Sequence, residues 1–187
     1  MNGEKKGCIR HLRRLIGMTP LRRFTREEDG ASTVEFAMVI TPFLALLFAI
    51  METAVVFLAN QTLETAVADS ARLIMTGQAQ KQKFDQQAFK TALCSRIYAL
   101  FDCENGIMID VRTAKSFGTA NMSRPIDNNG NLVNNFTYDP GGAGDIVVVR
   151  VMYQWPVWVP GLGFNLSNMA NGNRLLMATS AFRNEPF

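Results

Sequence analysis

The residues able to do chemistry are few in this chain, and most of them are carboxylates. The only histidine is His11, so everything beyond it lacks a Ser-His-Asp triad, a Cys-His pair and any histidine metal ligand. Asp102 and Glu104 are the acid pair that an exported carboxylate hydrolase would need in a cleft. At i and i+2 near the end of a helix they read better as solvated charges. The stretch "DNNGNL" at 127–132 starts like a calcium loop, but Leu132 stands where the turn needs glycine and Tyr138 where a glutamate should chelate. Ordinary Asn-Gly turn chemistry is the better reading. "GGAG" at 141–144 is too short to cradle a phosphate and precedes a strand, so it is a turn. No catalytic residue, no metal-ligand set and no cofactor site emerges, and the chain reads as a non-enzyme.

Two further acids stand in a different setting. Glu35 opens the longest apolar run and Glu52 lies well inside it, with residues 36–51 free of charge between them. An acid such as Asp at the centre of a spanning helix costs on the order of 2.5 to 3.5 kcal/mol on insertion scales, and intramembrane acids are retained for a purpose. The span 36–59 would be about 36 Å long as a helix, enough to cross a hydrocarbon core of roughly 30 Å with some tilt. Pro42 removes one backbone donor from that helix and is expected to kink it. A core helix of a soluble protein is the competing reading.

The elements that must position these acids follow from charge and periodicity. The 187 residues carry a formal charge of +3, but it is unevenly spread. Residues 1–30 hold eight Lys and Arg against four acids, whereas the remainder holds eleven bases against twelve acids. The basic pI belongs to the N-terminal tail, so the folded part is not expected to bind nucleic acid. A basic tail directly before an apolar run stays cytoplasmic by the positive-inside rule, and the chain beyond the run is exported. A cleaved secretory signal and twin-arginine export fit poorly: "AVA" at 66–68 comes after the apolar core only beyond several polar positions, and Arg22-Arg23 is in the wrong context. An uncleaved signal anchor remains a rival.

Beyond the membrane the helix continues. Leu63, Ala66, Val67, Ser70, Ala71 and Ile74 recur at helical spacing and Gly77 closes the run as a C-terminal cap. Phe89, Leu93, Ile97, Leu100 and Phe101 predict a second helix over 82–101. Strands are expected at 107–113, 145–155 and 174–183, with Ile107, Ile109 and Val111 on one face. The polar stretch 114–144 between the first two reads as a surface loop. The fold class is α+β: a long N-terminal transmembrane helix, then an exported domain with a second helix and a small, mainly antiparallel three-stranded sheet. Cys94 and Cys103, an even pair in an oxidising compartment, suggest a disulfide; two buried free thiols are the other reading.

With these residues in place, the chain resembles the TadE-like minor pseudopilins of bacterial tight-adherence (Tad/Flp) pilus machines, which are type IV pilin-like. Such precursors carry a basic leader ending in Gly, a Glu at the fifth mature position and a hydrophobic helix. Here Gly30 would end the leader and Ala31 begin the mature chain, placing Glu35 fifth and Phe36 sixth. The resemblance extends through "EFAMVITPFLALLFAIME", "SARLIMTG" and the C-terminal "RNEPF", and is loose over 78–173. It implies a basic cytoplasmic leader at 1–30, an N-terminal helix at 31–77 that spans the membrane over about 36–59, and an exported α+β domain at 78–187. It also implies a bacterial inner-membrane location with the N-terminus cytoplasmic and the C-terminal domain periplasmic, or incorporation in a pilus. The implied partners are a prepilin peptidase, other pilins and pseudopilins, and the inner-membrane assembly platform. Glu35 would pair with the Ala31 amine of a neighbouring subunit. Glu52, about 31 Å along the helix from Ala31, would bond a partner transmembrane helix, sit near the outer headgroups or be protonated in lipid. The alternative function is an uncleaved single-pass membrane protein whose exported domain binds something unrelated to pili.

Overall fold

The computed structural model of the chain describes residues 28–97, 100–120, 123, 125–158 and 165–187. The basic segment 1–27, most of the expected leader, lies outside the described residues. Two compact units divide between Leu46 and Leu47. In the first, the described residues are helix alone. The second holds the rest of that helix, short helices and a three-stranded sheet, so the chain is α+β as expected.

Helix α1 runs over Glu28–Met75 and passes Pro42 without a break in its assignment. In the first unit its apolar side chains face outward, Phe36, Met38, Val39 and Phe43 among them. In the second unit the helix becomes one-sided. Val56, Ala59, Leu63, Ala66, Val67, Ser70, Ala71 and Ile74 are buried at intervals of one, three and four residues. This is the periodicity of one helix face packed on a core. Four of those eight are Ala or Ser, so small side chains make up half of the buried face.

After the short α2 (Gln78–Lys81), α3 covers Gln86–Cys94. Asp85 caps it, accepting the Ala88 N–H at 2.7 Å. The helix expected over 82–101 is therefore shorter at both ends. Phe89 and Leu93 are its buried stripe, and Ile97 is buried beyond its end. The side chains of Ser95 and Arg96 both donate to the Ala92 carbonyl, meeting a helix-end acceptor that a continuing ladder would have used. A four-residue turn of helix, α4 (Cys103–Gly106), then leads into the sheet.

Strands β1 (Ile107–Ala114), β2 (Ile146–Trp155) and β3 (Arg174–Arg183) form a sheet in that order, antiparallel throughout. These bounds lie within one residue of those expected. Alternation sorts the side chains: Ile107, Ile109, Val111, Val147, Val149, Val151, Leu176 and Ala178 join the α1 and α3 residues in one core. The opposite face carries Met152 and Leu175, which pack with Met169 under Ile126, Leu132 and Phe136.

Those last three residues correct the reading of 114–144 as a plain surface loop, because the segment covers the second face of the sheet. A buried charge cluster fastens it there. Asp110 and Arg150 are directly opposed in the β1–β2 register and both are buried. The Asp110 carboxylate accepts from the Arg150 and Arg112 guanidinium groups and, at 2.9 Å, from the Thr137 backbone N–H. Arg150 also donates to the Ser123 carbonyl, and Arg112 to that of Asn135. One carboxylate thus ties two strands to three points of the loop.

Burial alone would push the Asp110 carboxyl up, but the hydrogen bonds from Arg112, Thr137 and Arg150, with the Arg150 charge, outweigh it and hold the group below its ordinary value of 3.8. A carboxyl depressed in the folded state adds stability above its unfolded pKa and loses it as pH falls through the folded one. In full-length protein in detergent, Asp110→Ala is expected to lose about 3–5 kcal/mol near neutral pH, since two guanidiniums are left without their partner. The wild type should lose stability as pH is taken below about 3.8, and Asp110→Asn should show a shallower loss over that acid range. Denaturant titrations at several pH values measure both; equal acid slopes would remove the role assigned to Asp110.

Candidate functional site

The surface that stands out is the exposed apolar side of α1. Among the described residues, one helix is long and apolar enough to cross a membrane, and none of its most apolar window is buried. A core helix would have that window covered. An exposed apolar surface this continuous marks an interaction with lipid or protein. Within the first unit Glu35 is exposed and Phe36 is 65% exposed. Among the described residues Glu35 makes no hydrogen bond or ion pair. At Gly30 an added Cβ would meet nothing within 4 Å. The Thr41 hydroxyl donates to the Ala37 carbonyl at 2.7 Å, one turn back and just before Pro42.

In the second unit Glu52 is half-buried, and its Oε1 accepts the backbone N–H of Trp158. The acid that seemed to need a partner helix has a partner in its own chain, on the connection between β2 and β3. Nothing in the apolar run around Glu52 signals this, because the donor lies over a hundred residues away and is a backbone group.

The C-terminal "RNEPF" also acquires a physical role. The Asn184 amide donates to the Pro140 and Gly142 carbonyls, and its backbone N–H to Asp145, closing the "GGAG" turn onto the end of β3. The Glu185 N–H donates to the Met75 carbonyl, the last residue of α1, at 2.8 Å. Phe187 lies against Gly77, the expected cap, which takes the left-handed conformation at φ 73°. Helix end and chain end are thus joined.

Cys94 and Cys103 form a disulfide, with Cα atoms 5.8 Å apart, between the end of α3 and the start of α4. On the loop-entropy account a ring this small adds roughly 2–3 kcal/mol. The acids of the hydrolase reading have local roles. Asp102 caps α4 through the Asn105 N–H, and both Asp102 and Glu104 are exposed. Asp127 accepts the N–H groups of Asn131 and Asn129, which hold its carboxyl below the usual range, and Gly130 completes that turn at φ 81°. The fastening residues Asp110, Arg150 and Asn184 were not anticipated. The signal for the first two was a charge of each sign interrupting a β-branched strand.

Among the described residues, one exposed apolar helix continuing into a small disulfide-bonded α+β unit places the chain in the class of proteins built on a candidate membrane anchor. The family model for TadE-like protein matches residues 30–72. Over that stretch of α1 the chain is similar to TadE-like protein, the family it resembles. No curated protein and no solved structure matches the chain.

The contact between Gly77 and Phe187 gives a testable coupling. A Cβ built at Gly77 would lie 2.2 Å from the Phe187 ring, and a left-handed non-glycine residue costs about 1–2 kcal/mol by itself. Gly77→Ala should therefore destabilise full-length protein in detergent by more than that, and by only about that amount in a Phe187→Ala background. A double-mutant cycle on chemical denaturation reads the difference. Additive costs would show that the ring does not press on this turn.

Proposed function

We propose that the chain is a minor pseudopilin that helps initiate or assemble a Tad/Flp-type pilus, and is a substrate of a prepilin peptidase and not itself an enzyme. The observation that carries the reading is α1: TadE-like from Gly30 to Arg72, exposed and apolar through the first unit, with Glu35 unpartnered within the described chain. On this reading residues 1–30 are a cytoplasmic leader, the helix over 31–77 crosses the inner membrane, and 78–187 form a periplasmic domain. Cleavage between Gly30 and Ala31 frees an α-amino group. Glu35 of one subunit then pairs with the Ala31 ammonium of a neighbour, because in low dielectric an unpaired charge is far more costly than a paired one. Asp110 and Glu52 find partners within the chain; Glu35 finds one by assembly. The other pilins and the inner-membrane platform supply the surfaces against which α1 packs.

Two experiments test this. Co-expressed with its cognate peptidase, the protein should lose residues 1–30, as read by N-terminal sequencing and intact mass. Gly30→Ala should be tolerated, since the chain itself leaves room for a Cβ, whereas a bulky residue should block processing by crowding the peptidase. An unprocessed wild-type chain in piliated cells would favour the uncleaved anchor.

Processing and assembly should separate at Glu35. Glu35→Ala is expected to be cut normally yet to associate roughly a hundredfold more weakly, with Glu35→Gln milder because its amide still accepts a hydrogen bond. Crosslinking of membrane-embedded subunits and a count of surface pili measure this. A processed Glu35→Ala chain that crosslinks and supports pili at wild-type levels would remove the assembly role.

A further inference from the structure

The connection leaving β2 takes Pro156, Val157 and Trp158 from the sheet to the helix. Its fixed point is the Trp158 N–H on Glu52 Oε1. The Trp158 side chain does not fold back onto the protein: it is 79% exposed, the most exposed large apolar residue described. It stands beside a part of α1 whose own apolar side chains, Ile50, Met51, Val55, Phe57 and Leu58, are exposed. Burial against the sheet begins at Val56 and is complete by Ala59. Trp158 therefore sits where the helix passes from bare to covered.

We propose that Trp158 is a second membrane contact, its indole lying in the lipid headgroup layer on the domain's side, and that Glu52 fixes it at that depth. The proposal rests on reading α1 as a membrane span. About twenty helical residues cross a hydrocarbon core, which counted from Phe36 ends at Val55. Glu52 is then within about 5 Å of the boundary, where its Oε1 accepts the Trp158 N–H. Indole, apolar in body with one N–H donor, concentrates at this level of a bilayer. Lipid is favoured as the occupant because the exposed apolar surface of α1 runs continuously to this point and must itself be in lipid wherever the helix is. The clasp also explains why an acid stands so far into an apolar run: it receives a backbone N–H that would otherwise face the membrane without an acceptor.

The test uses the full chain in phosphatidylethanolamine–phosphatidylglycerol vesicles, with Trp155→Phe leaving Trp158 as the sole indole. Doxyl labels near the headgroup should quench Trp158 fluorescence strongly and labels near the chain end weakly, while aqueous acrylamide should be shielded from it. Glu52→Ala removes the acceptor of the Trp158 N–H and should shift the clasped-to-open ratio by about tenfold, with lipid quenching falling and acrylamide quenching rising. An intact Cys94–Cys103 linkage shows that this variant still folds; the wild-type quenching pattern stands as a test even if it does not. A chain that floats with vesicles while Trp158 is quenched by acrylamide and not by lipid labels overturns this proposal alone. A chain that does not float overturns the membrane span with it. Quenching by lipid labels only until other pilin subunits are added would support the proposal for the free subunit, whereas protection from lipid labels in every state would overturn it in favour of a protein partner.

Discussion

From Val56 to Ile74 one face of α1 lies on the helix-side face of the sheet, and the rest of the second unit is arranged around that contact. Ala59, Ala66 and Ala71 share one buried cluster with the larger Leu63, Val67 and Ile74 and with the strand residues. Each larger side chain removed from water contributes about 1.5–3 kcal/mol relative to exposure. Three strands alone would leave two apolar faces open; the helix covers one. That face in turn requires Ile107, Ile109 and Val111 to point toward the helix, which sends Met108, Asp110 and Arg112 to the other side. The long β1–β2 connection then has to act as the second cover.

Covering that second face put charge in a dry place, and the chain handles three of its acids, Asp110, Glu52 and Glu35, differently according to their surroundings. Asp110 is fully enclosed and receives two guanidiniums and a backbone N–H. Glu52 is half-buried beside apolar helix and receives one backbone N–H. Glu35 has no such provision among the described residues and is exposed where the apolar run of α1 begins. An acid left this way in a lipid setting is stable only if something outside the chain meets it. The contrast with the other two acids is what makes an intermolecular role for Glu35 physically reasonable.

Much of this was legible in the sequence because it depends on period. The alternation in "IMIDVRT" and the β-branched, aromatic run "DIVVVRVMYQW" set those strands to within a residue, and spacings of three and four found the buried face of α1. The second helix was overextended because Ile97, Leu100 and Phe101 continue the apolar spacing of Phe89 and Leu93 after the helix has ended, so periodicity could not mark its stop at Cys94. The covering role of 114–144 was missed for a related reason. Its anchors are single residues, Ile126, Leu132 and Phe136, spread among polar ones, and its fastening is to Asp110 and Arg150 on strands elsewhere in the chain. Long-range partners of backbone groups, such as Trp158 with Glu52 and Glu185 with Met75, leave no local signal at all.

A register set between neighbouring pilin-like helices reaches the domains they carry only if each domain is fixed to its own helix. Within residues 47–187 that fixing does not rest on apolar packing alone, which is tolerant of sliding because neighbouring Ala and Val positions are near-equivalent. Directional bonds at two levels remove the tolerance. At the helix end, Met75 holds the Glu185 N–H and Gly77 leaves room for Phe187. More than six turns earlier, Glu52 holds the Trp158 N–H. Sliding by one residue would break both hydrogen bonds at once, while a rotation that preserved one would strain the other. The family match ends at Arg72, short of Met75 and Gly77, and includes Glu52. The acceptor of one fastening therefore lies in the stretch similar to TadE-like protein, and the other fastening is made just beyond it, between the end of α1 and the C-terminal tail.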